Sequence, residues 1–328
     1  MRGRMAAMLG VVLVTQVTLA TELGVRDSQF TIDGKPTFLL GCSYYAGLGA
    51  SPQTLEKDLD GLRKLGFNWI RVWATWAGFD QDVSAVDALG QPRQEYVKRL
   101  EKLVAECDQR GMIVNVTLSR GNGLNKAGSL TDYEAHQRAV ETIVTTLKPY
   151  RNWYIDLANE RNIRDPRYAS IEDLAKLRTR VAKLDPTRLV TASHTGEASK
   201  EELAKYLQQV KVDFFSLHRP REASSPKQTE LRSREILGWM KELGRVVPLH
   251  YDEPFRRGYS QWQPSAEDFL IDLRGAQAGG AAGWCFHNGD QRGTRDGQPR
   301  RSFDLSEKTL FDQLDDQEQR FFEMLKQR

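Results

Sequence analysis

The sequence has only three cysteines, Cys42, Cys107 and Cys285, in 328 residues. Three thiols make no disulfide framework, and without a CxxC pair or a Cys/His cluster they offer no zinc site. Long apolar runs are equally scarce: past the first twenty residues none approaches the roughly 20 residues a bilayer span requires. Charge of one sign is lacking too. Lysine and arginine number 47 against 44 aspartates and glutamates, a net charge of +3, which is not the field of a nucleic-acid binder. No glycine-rich phosphate loop follows the first predicted strand, which argues against an open, doubly wound nucleotide-binding sheet. No low-complexity tract or interior linker divides the chain.

What is present begins with an export pattern. Arg2 and Arg4 precede an apolar run from Met5 to Val14, and Thr18-Leu19-Ala20 offers small residues for cleavage. This predicts a signal peptide over residues 1–20 and a secreted or periplasmic protein. An uncleaved interfacial anchor or an overlong gene start is the competing reading. The remainder, 21–328, reads as one domain.

That remainder opens with a hairpin pattern, two short alternating runs around Asp33-Gly34. Short apolar runs follow at Phe38–Ser43, Asn68–Trp73, Ile113–Leu118, Trp153–Leu157, Leu189–Ser193, Phe214–Leu217, Val246–Leu249 and Ala281–Phe286. They read as strands covered on both sides. Between them, Thr54–Leu65, Gln94–Arg110, Asp132–Leu147, Ile171–Leu184, Glu230–Leu243 and Ala266–Ala276 carry apolar residues at spacings of three and four, the mark of amphipathic helices. Gly66, Gly111 and Gly244 are placed to end three of them. Eight strands alternating with helices over this length predict an α/β fold, a single (β/α)8 TIM barrel with a short N-terminal hairpin. Cys42 and Cys285 fall on the first and last strands, neighbours in a closed barrel, so a bridge and a pair of buried thiols are both open readings.

In such a barrel the active site lies at the C-terminal ends of the strands. Asn159-Glu160 follows the fourth run and His250-Tyr251-Asp252-Glu253 the seventh. Two carboxylates on different strands facing one pocket are what glycoside hydrolysis uses, one to protonate the leaving oxygen and one to attack or to activate water. Read in order, the motifs resemble the clan A retaining glycoside hydrolases, the clan of the family-five cellulases and mannanases. The resemblance spans nearly all of 21–328. It rests on Phe30–Pro36, Leu40-Gly41, Gly66–Arg71, Asn159-Glu160, Val212–His218, and Pro248 followed by Glu253.

The resemblance implies Glu160 as general acid and then base, Glu253 as nucleophile, and Asn159 on the sugar 2-hydroxyl. It places Arg71 beneath Glu253 and His218 within the same network. A cation beside Glu253 would keep it ionised, while Glu160 needs its pKa raised, in part by the charge of Glu253. Asp252 is the rival nucleophile, with strand alternation expected to turn it away from Glu253. Among the aromatics at strand ends (Tyr44, Tyr45, Trp73, Trp76, Tyr251, Trp284, Phe286), Trp76 and Trp284 are the expected sugar platforms and Tyr251 a further contact.

The chain departs from the family at Thr117–Arg120, at His218–Arg221 and at Gly283–His287. The departures share a sign: Arg120, Arg161, Arg219, Arg221, Arg256 and Arg257 all fall on loops at the catalytic face. Guanidinium forks suit carboxylate and sulfate, so an anionic glycan is the expected substrate class. Solvated arginines paired with Asp165, Glu222 and Asp290 are the alternative. No metal or cofactor is expected, and no nucleic acid or membrane span. The competing functions are a non-catalytic glycan-binding barrel, a transglycosylase using the same carboxylates and, fitting less well, a sugar-phosphate isomerase or aldolase barrel.

Overall fold

Eight parallel strands form at the eight apolar runs in the computed structural model, which describes residues 20–259, 261–287, 303–306 and 308–327; the seventh lies later than predicted, sharing only Leu249 with its run. Apart from Ala20, the expected signal peptide lies outside these residues, as does Asp290. The strands are Leu39–Ser43, Trp69–Trp73, Ile113–Thr117, Trp153–Asp156, a split fifth strand, Phe215–His218, Leu249–Tyr251 and Gly283–Phe286. The sheet closes through the fifth strand, which is interrupted at Ala192-Ser193. Its first piece, Val190–Thr191, pairs with the fourth strand and its second, His194–Thr195, with the sixth. The first and eighth strands are neighbours, with Cys285 opposite Gly41 and Phe286 opposite Cys42.

Strand alternation sorts the side chains into two cores. Trp69, Ile113, Tyr154, Phe214 and Cys285 point inward and fill the barrel floor. Ile70, Val72, Val114, Ile155, Leu249, Tyr251 and Trp284 point outward beneath the helices. Cys42 belongs to the outer core and Cys285 to the inner one. The two thiols therefore stand on opposite faces of the sheet, and all three cysteines are buried and free. The barrel wall leaves no room for a bridge between Cys42 and Cys285.

The bottom is plugged from the N-terminal sheet, Leu23–Arg26, Gln29–Ile32 and Lys35–Thr37. Asp33 and Gly34 both take positive φ (52° and 75°), as a tight two-residue hairpin turn demands. The turn presents Phe30 to the floor, where it meets Phe214 edge-on at 4.9 Å. Its full burial contributes about 1.5–3 kcal/mol. Gly41 is needed for a different reason: a Cβ there would fall 1.6 Å from the Trp69 ring.

The predicted helices form at Pro52–Lys64, Gln94–Gln109, Tyr133–Leu147, Ile171–Leu184, Ser225–Glu242 and Ala266–Ala278. The fifth of these starts five residues before its predicted bound because Pro226 is accepted in the first turn, where its missing N–H costs nothing. Beyond short 3-10 turns at Gly47–Gly49 and Phe311–Gln313, two further helical segments among the described residues were not predicted. Lys200–Ala204 continues as a wider-turned segment to Val210, and Asp316–Lys326 closes the chain, capped reciprocally by Asp315 and Glu318. Among the described residues no helix is long and apolar enough to cross a membrane.

Candidate active site

At the top of the barrel the seventh strand ends beside the sixth, and the fourth ends beyond the split fifth strand, which separates it from the sixth. Beyond the fourth, the chain turns sharply and Glu160 sits at φ +47°. This is left-handed backbone that costs a residue with a Cβ about 1–2 kcal/mol. The break in the fifth strand supports it. The Ser193 hydroxyl accepts from the Glu160 N–H at 3.0 Å, and the Ser193 N–H donates to Asp156. Beyond the seventh strand, Asp252 and Glu253 both turn into the barrel. The expected alternation fails because the strand has already ended at Tyr251. Asp252 is fully buried near Arg71 and His218, while Glu253 reaches the cavity above it.

Arg71 stands fully buried at the centre. Its guanidinium donates to Glu253 at 2.5 Å, Asn159 at 2.9 Å, Asp156 at 3.1 Å and the Thr117 hydroxyl at 3.1 Å. His218 lies between the carboxylates, its Nδ1 3.2 Å from Glu160 and 3.5 Å from Glu253, and its Nε2 3.4 Å from Asp252. A ligating atom from each of Glu160, His218 and Glu253 falls within 4.8 Å of the others.

Every oxygen of the two glutamates is engaged. Glu160 Oε1 accepts from Thr195 and His218, and Oε2 from Arg167 at 2.9 Å. Glu253 Oε2 accepts from Arg71 and lies near His218. Its Oε1 accepts from Arg221 at 2.5 Å and lies 3.2 Å from His287. Arg221 is also 3.8 Å from Glu160.

These neighbours set the protonation states. Burial works against charge on Glu253, but His218, His287 and Arg221 outweigh it and hold the carboxyl well below its usual range. Burial likewise opposes charge on His218, yet Glu253, Asp252 and Glu160 push its pKa up to about 9. Glu160 departs from expectation. Burial and Glu253 raise it, but His218 and Arg221 prevail and its pKa falls to about 2. In the free site Glu160 is an ionised carboxylate, and the nearest proton sits on His218. The cluster Glu160–His218–Glu253 is also the one group of three prospective metal ligands found among the described residues. Here the histidine lies between the two carboxylates and each carboxylate accepts from an arginine, so the group forms an ion-pair network.

A cavity of about 240 Å³ opens over the two glutamates, and a second of about 360 Å³ adjoins it, sharing Trp73, Trp76 and Arg167. Asn159 lines the first, and Trp76 stacks on Tyr45 at 5.0 Å beside it. Trp284 and Tyr251 do not reach it. Both are fully buried on the outer face of their strands, where Trp284 donates to Asp272 at 2.6 Å and the Tyr251 hydroxyl meets Ser233. The inward parity of the eighth strand belongs to Gly283, Cys285 and His287, so the sugar-contact expectation for Trp284 and Tyr251 is corrected. Tyr44 and Phe286 are core residues as well.

Of the six loop arginines, Arg120, Arg161 and Arg257 pair outside the first cavity with Asp173, Glu202 and Asp315. Arg219, Arg221 and Arg256 line it. Tyr45, one of the strand-end aromatics, lines the cavity, and sequence reasoning missed Arg167, Thr195 and His287 as parts of the site. Of these three, only His287 carried a signal, being two residues past Cys285 on the inward face.

An eight-stranded parallel barrel with paired glutamates at the ends of its fourth and seventh strands defines the class of barrel glycoside hydrolases. Comparison of the sequence with family models is specific. The Cellulase model (glycosyl hydrolase family 5) matches residues 28–218, and the chain belongs to this family, within clan A. Solved structures agree on the fold. A candidate glycoside hydrolase from Bacteroides vulgatus ATCC 8482 is similar with a TM-score of 0.70 at 14% identity, over 95% of this chain and 61% of that one. This chain thus spans about three-fifths of that protein's length. The hyperthermostable endo-1,4-β-D-mannanase from Thermotoga petrophila RKU-1 gives 0.58 at 15% identity, over 88% and 98%. A family 5 mannosidase from Rhizomucor miehei gives 0.60 at 16% identity, over 95% and 99%. Comparison with curated protein sequences gave no match.

Proposed function

We propose that this glycoside hydrolase cleaves O-glycosidic bonds of an oligo- or polysaccharide by retaining double displacement, with Glu253 as nucleophile and Glu160 as acid and then base. The observation that carries the reading is the proximity of the two carboxylates, whose nearest oxygens lie within 4.8 Å. Retaining sites hold their carboxyl groups roughly 5–5.5 Å apart, and inverting sites roughly 6.5–9.5 Å to admit a water. In the first step Glu253 attacks the anomeric carbon while the bond to the leaving oxygen breaks and Glu160 gives that oxygen a proton. In the second, water attacks the same carbon, Glu160 takes its proton, and the bond to Glu253 breaks. Arg71 keeps Glu253 ionised from below, and Asn159, held by Arg71, faces the cavity with its amide free for a sugar hydroxyl. Trp76, with Tyr45 behind it, offers the stacking face.

The substrate class follows from the cavity's charge. Arg167, Arg219, Arg221 and Arg256 line it against Glu160 and Glu253, which favours a glycan carrying carboxylate or sulfate over the neutral mannans named for the Thermotoga and Rhizomucor proteins. The N-terminal pattern supports export as the setting for such a substrate.

A glycan panel containing neutral and acidic polymers, read with product anomer by NMR, tests the reading. The expected result is retention, with turnover abolished in Glu160→Gln and in Glu253→Gln. Inverted product removes Glu253 as nucleophile, and undiminished turnover in either variant removes the pair. Wild-type binding without turnover would make the barrel a lectin-like module, and transfer to added sugar acceptors in preference to water a transglycosylase. Full activity on neutral mannan or β-glucan with no gain on acidic polymers overturns the substrate class.

A further inference from the structure

The two carboxylates required for catalysis are each closed off by an arginine on the oxygen that has to work. Glu160 Oε1 is already committed to Thr195 and His218, so the oxygen left to carry a proton to the glycosidic bond is Oε2, and Arg167 occupies it. Glu253 Oε2 is committed downward to Arg71, so the oxygen left to attack is Oε1, and Arg221 occupies its cavity side while His287 lies 3.2 Å away, fully buried behind it. Both arginines come from loops, both line the cavity, and Arg167 also forms the wall between the first cavity and the second. Each has a second support in place. Arg167 is forked onto Asp165 by its Nε and its other terminal nitrogen, and Arg221 lies over the Tyr259 ring at 4.3 Å, with Arg256 over the same ring at 4.6 Å. Neither guanidinium needs the glutamate to stay in position.

We propose that Arg167 and Arg221 cap the free site and are its specificity-determining residues: an anionic substituent of the bound glycan, carboxylate or sulfate, takes their guanidiniums and so uncovers the working oxygens of Glu160 and Glu253. This rests on the retaining reading above. A neutral sugar must enter against two charge-assisted hydrogen bonds and supplies no replacement partner, whereas an anionic one exchanges one acceptor for another. The groups facing Glu160 are Arg167 from the loop beyond its own strand, Thr195 from the fifth strand, His218 from the sixth, Arg221 from the loop beyond it, and Glu253 from the seventh. When both arginines turn to the substrate, the burial of Glu160 and the negative charge of Glu253 act on it with only His218 and the Thr195 hydroxyl opposing. Glu160 then takes up one proton from solvent and passes it to the leaving oxygen.

The test compares kcat/KM on two substrate pairs, a uronate-bearing oligosaccharide with its carboxyl-reduced counterpart and a sulfated oligosaccharide with its desulfated counterpart. The enzymes are the wild type, Arg167→Gln, Arg221→Gln, the double variant, and the lysine variant at each position. The wild type is expected to favour the charged member of one pair by roughly 10- to 100-fold, the worth of one charge-assisted hydrogen bond. Which pair shows it tells carboxylate from sulfate. The glutamine variants slow on the charged member and gain on the neutral one, and lysine restores part of the preference, which a purely structural role would not do. On the neutral member, loss of Arg221 also moves the basic limb of kcat/KM to higher pH, because a cation that depresses Glu160 is gone. Neutral members preferred in both pairs, or a ratio unchanged in the glutamine variants, overturns the proposal. Turnover that survives Glu160→Gln or gives inverted product overturns the retaining reading instead, and no wild-type turnover on any member overturns both.

Discussion

Replacing Arg71 by methionine separates its electrostatic role from its packing role, because the aliphatic stem is kept and the guanidinium removed. In the wild type, Arg71 neutralises a fully buried group in which Asp156, Asp252 and Glu253 all lie within 4 Å of its nitrogens. Breaking such a buried pair costs about 3–5 kcal/mol. The cost should depend on pH. Glu253, now held well below its usual range, loses one of the two guanidiniums that bind it at 2.5 Å, so its folded-state pKa rises and it binds a proton in the folded state at pH values where the unfolded chain does not. A group whose folded pKa is raised contributes stability that is lost as pH rises, with a slope of about 1.4 kcal/mol per pH unit for each such proton. Arg71→Met should therefore be less damaging at pH 5 than at pH 7, by ~2.7 kcal/mol if one carboxyl protonates fully across that window. Urea unfolding of both proteins at the two pH values measures the difference directly. On any substrate found by the glycan panel, the acidic limb of kcat/KM should move up in the variant as the nucleophile becomes harder to ionise. A destabilisation equal at both pH values, with an unmoved acidic limb, would refute the electrostatic account and leave Arg71 as packing.

Other substitutions test other parts of the structure. Trp284→Phe removes the donor to buried Asp272 and should cost about 1–3 kcal/mol in urea unfolding while leaving kcat/KM unchanged, whereas Trp76→Ala should mainly raise KM. Burial raises Asp272 to about 6, so its contribution to stability is full below the ordinary aspartate value near ~4 and is lost as pH rises toward 6. Asp272→Asn should flatten stability against pH across that window. A methyl group at Gly41 meets the Trp69 ring head-on, and Gly41→Ala should lower the unfolding midpoint by an amount corresponding to about 1–3 kcal/mol or more. Native protein should show no thiol reactive to a disulfide reagent, and all three cysteines should react in denaturant.

Much of this molecule was legible in the chain. Glu160 and Glu253 could be named in advance because a barrel turns position just past an apolar run into position at the pocket, and Arg71, Asn159 and His218 because the chain's motifs resemble those of the clan. The fold was legible because buried parallel strands and amphipathic helices have different periods, and both periods are clean here. Strand parity was harder. The eighth strand is apolar on both faces, so nothing in Gly283–Phe286 says whether Trp284 or Cys285 looks inward, and the bulkier residue proved to be the outer one. The fifth strand was predicted as continuous because its break is made by Ala192 and Ser193, which carry no turn signal. The helix at Lys200–Val210 had apolar residues at Leu203, Tyr206, Leu207 and Val210, but it follows a strand too short to mark its start. Arg167 and Arg221 set the electrostatics of Glu160 and Glu253 from loops, and a loop's path is written in its packing rather than in its composition. That is also why the raised pKa expected for Glu160 proved to be a lowered one.

The left-handed backbone at Glu160 has a consequence over evolutionary time. Glycine occupies that conformation freely and asparagine tolerates it, so selection for folding alone would favour either of them over glutamate at this position. A descendant of this barrel freed from turnover, retained only to hold a glycan, would be expected to drift to glycine or asparagine at 160 while keeping Trp76 and the arginines. The residue found there in any relative of this chain is thus a record of whether chemistry, rather than binding, has been under selection.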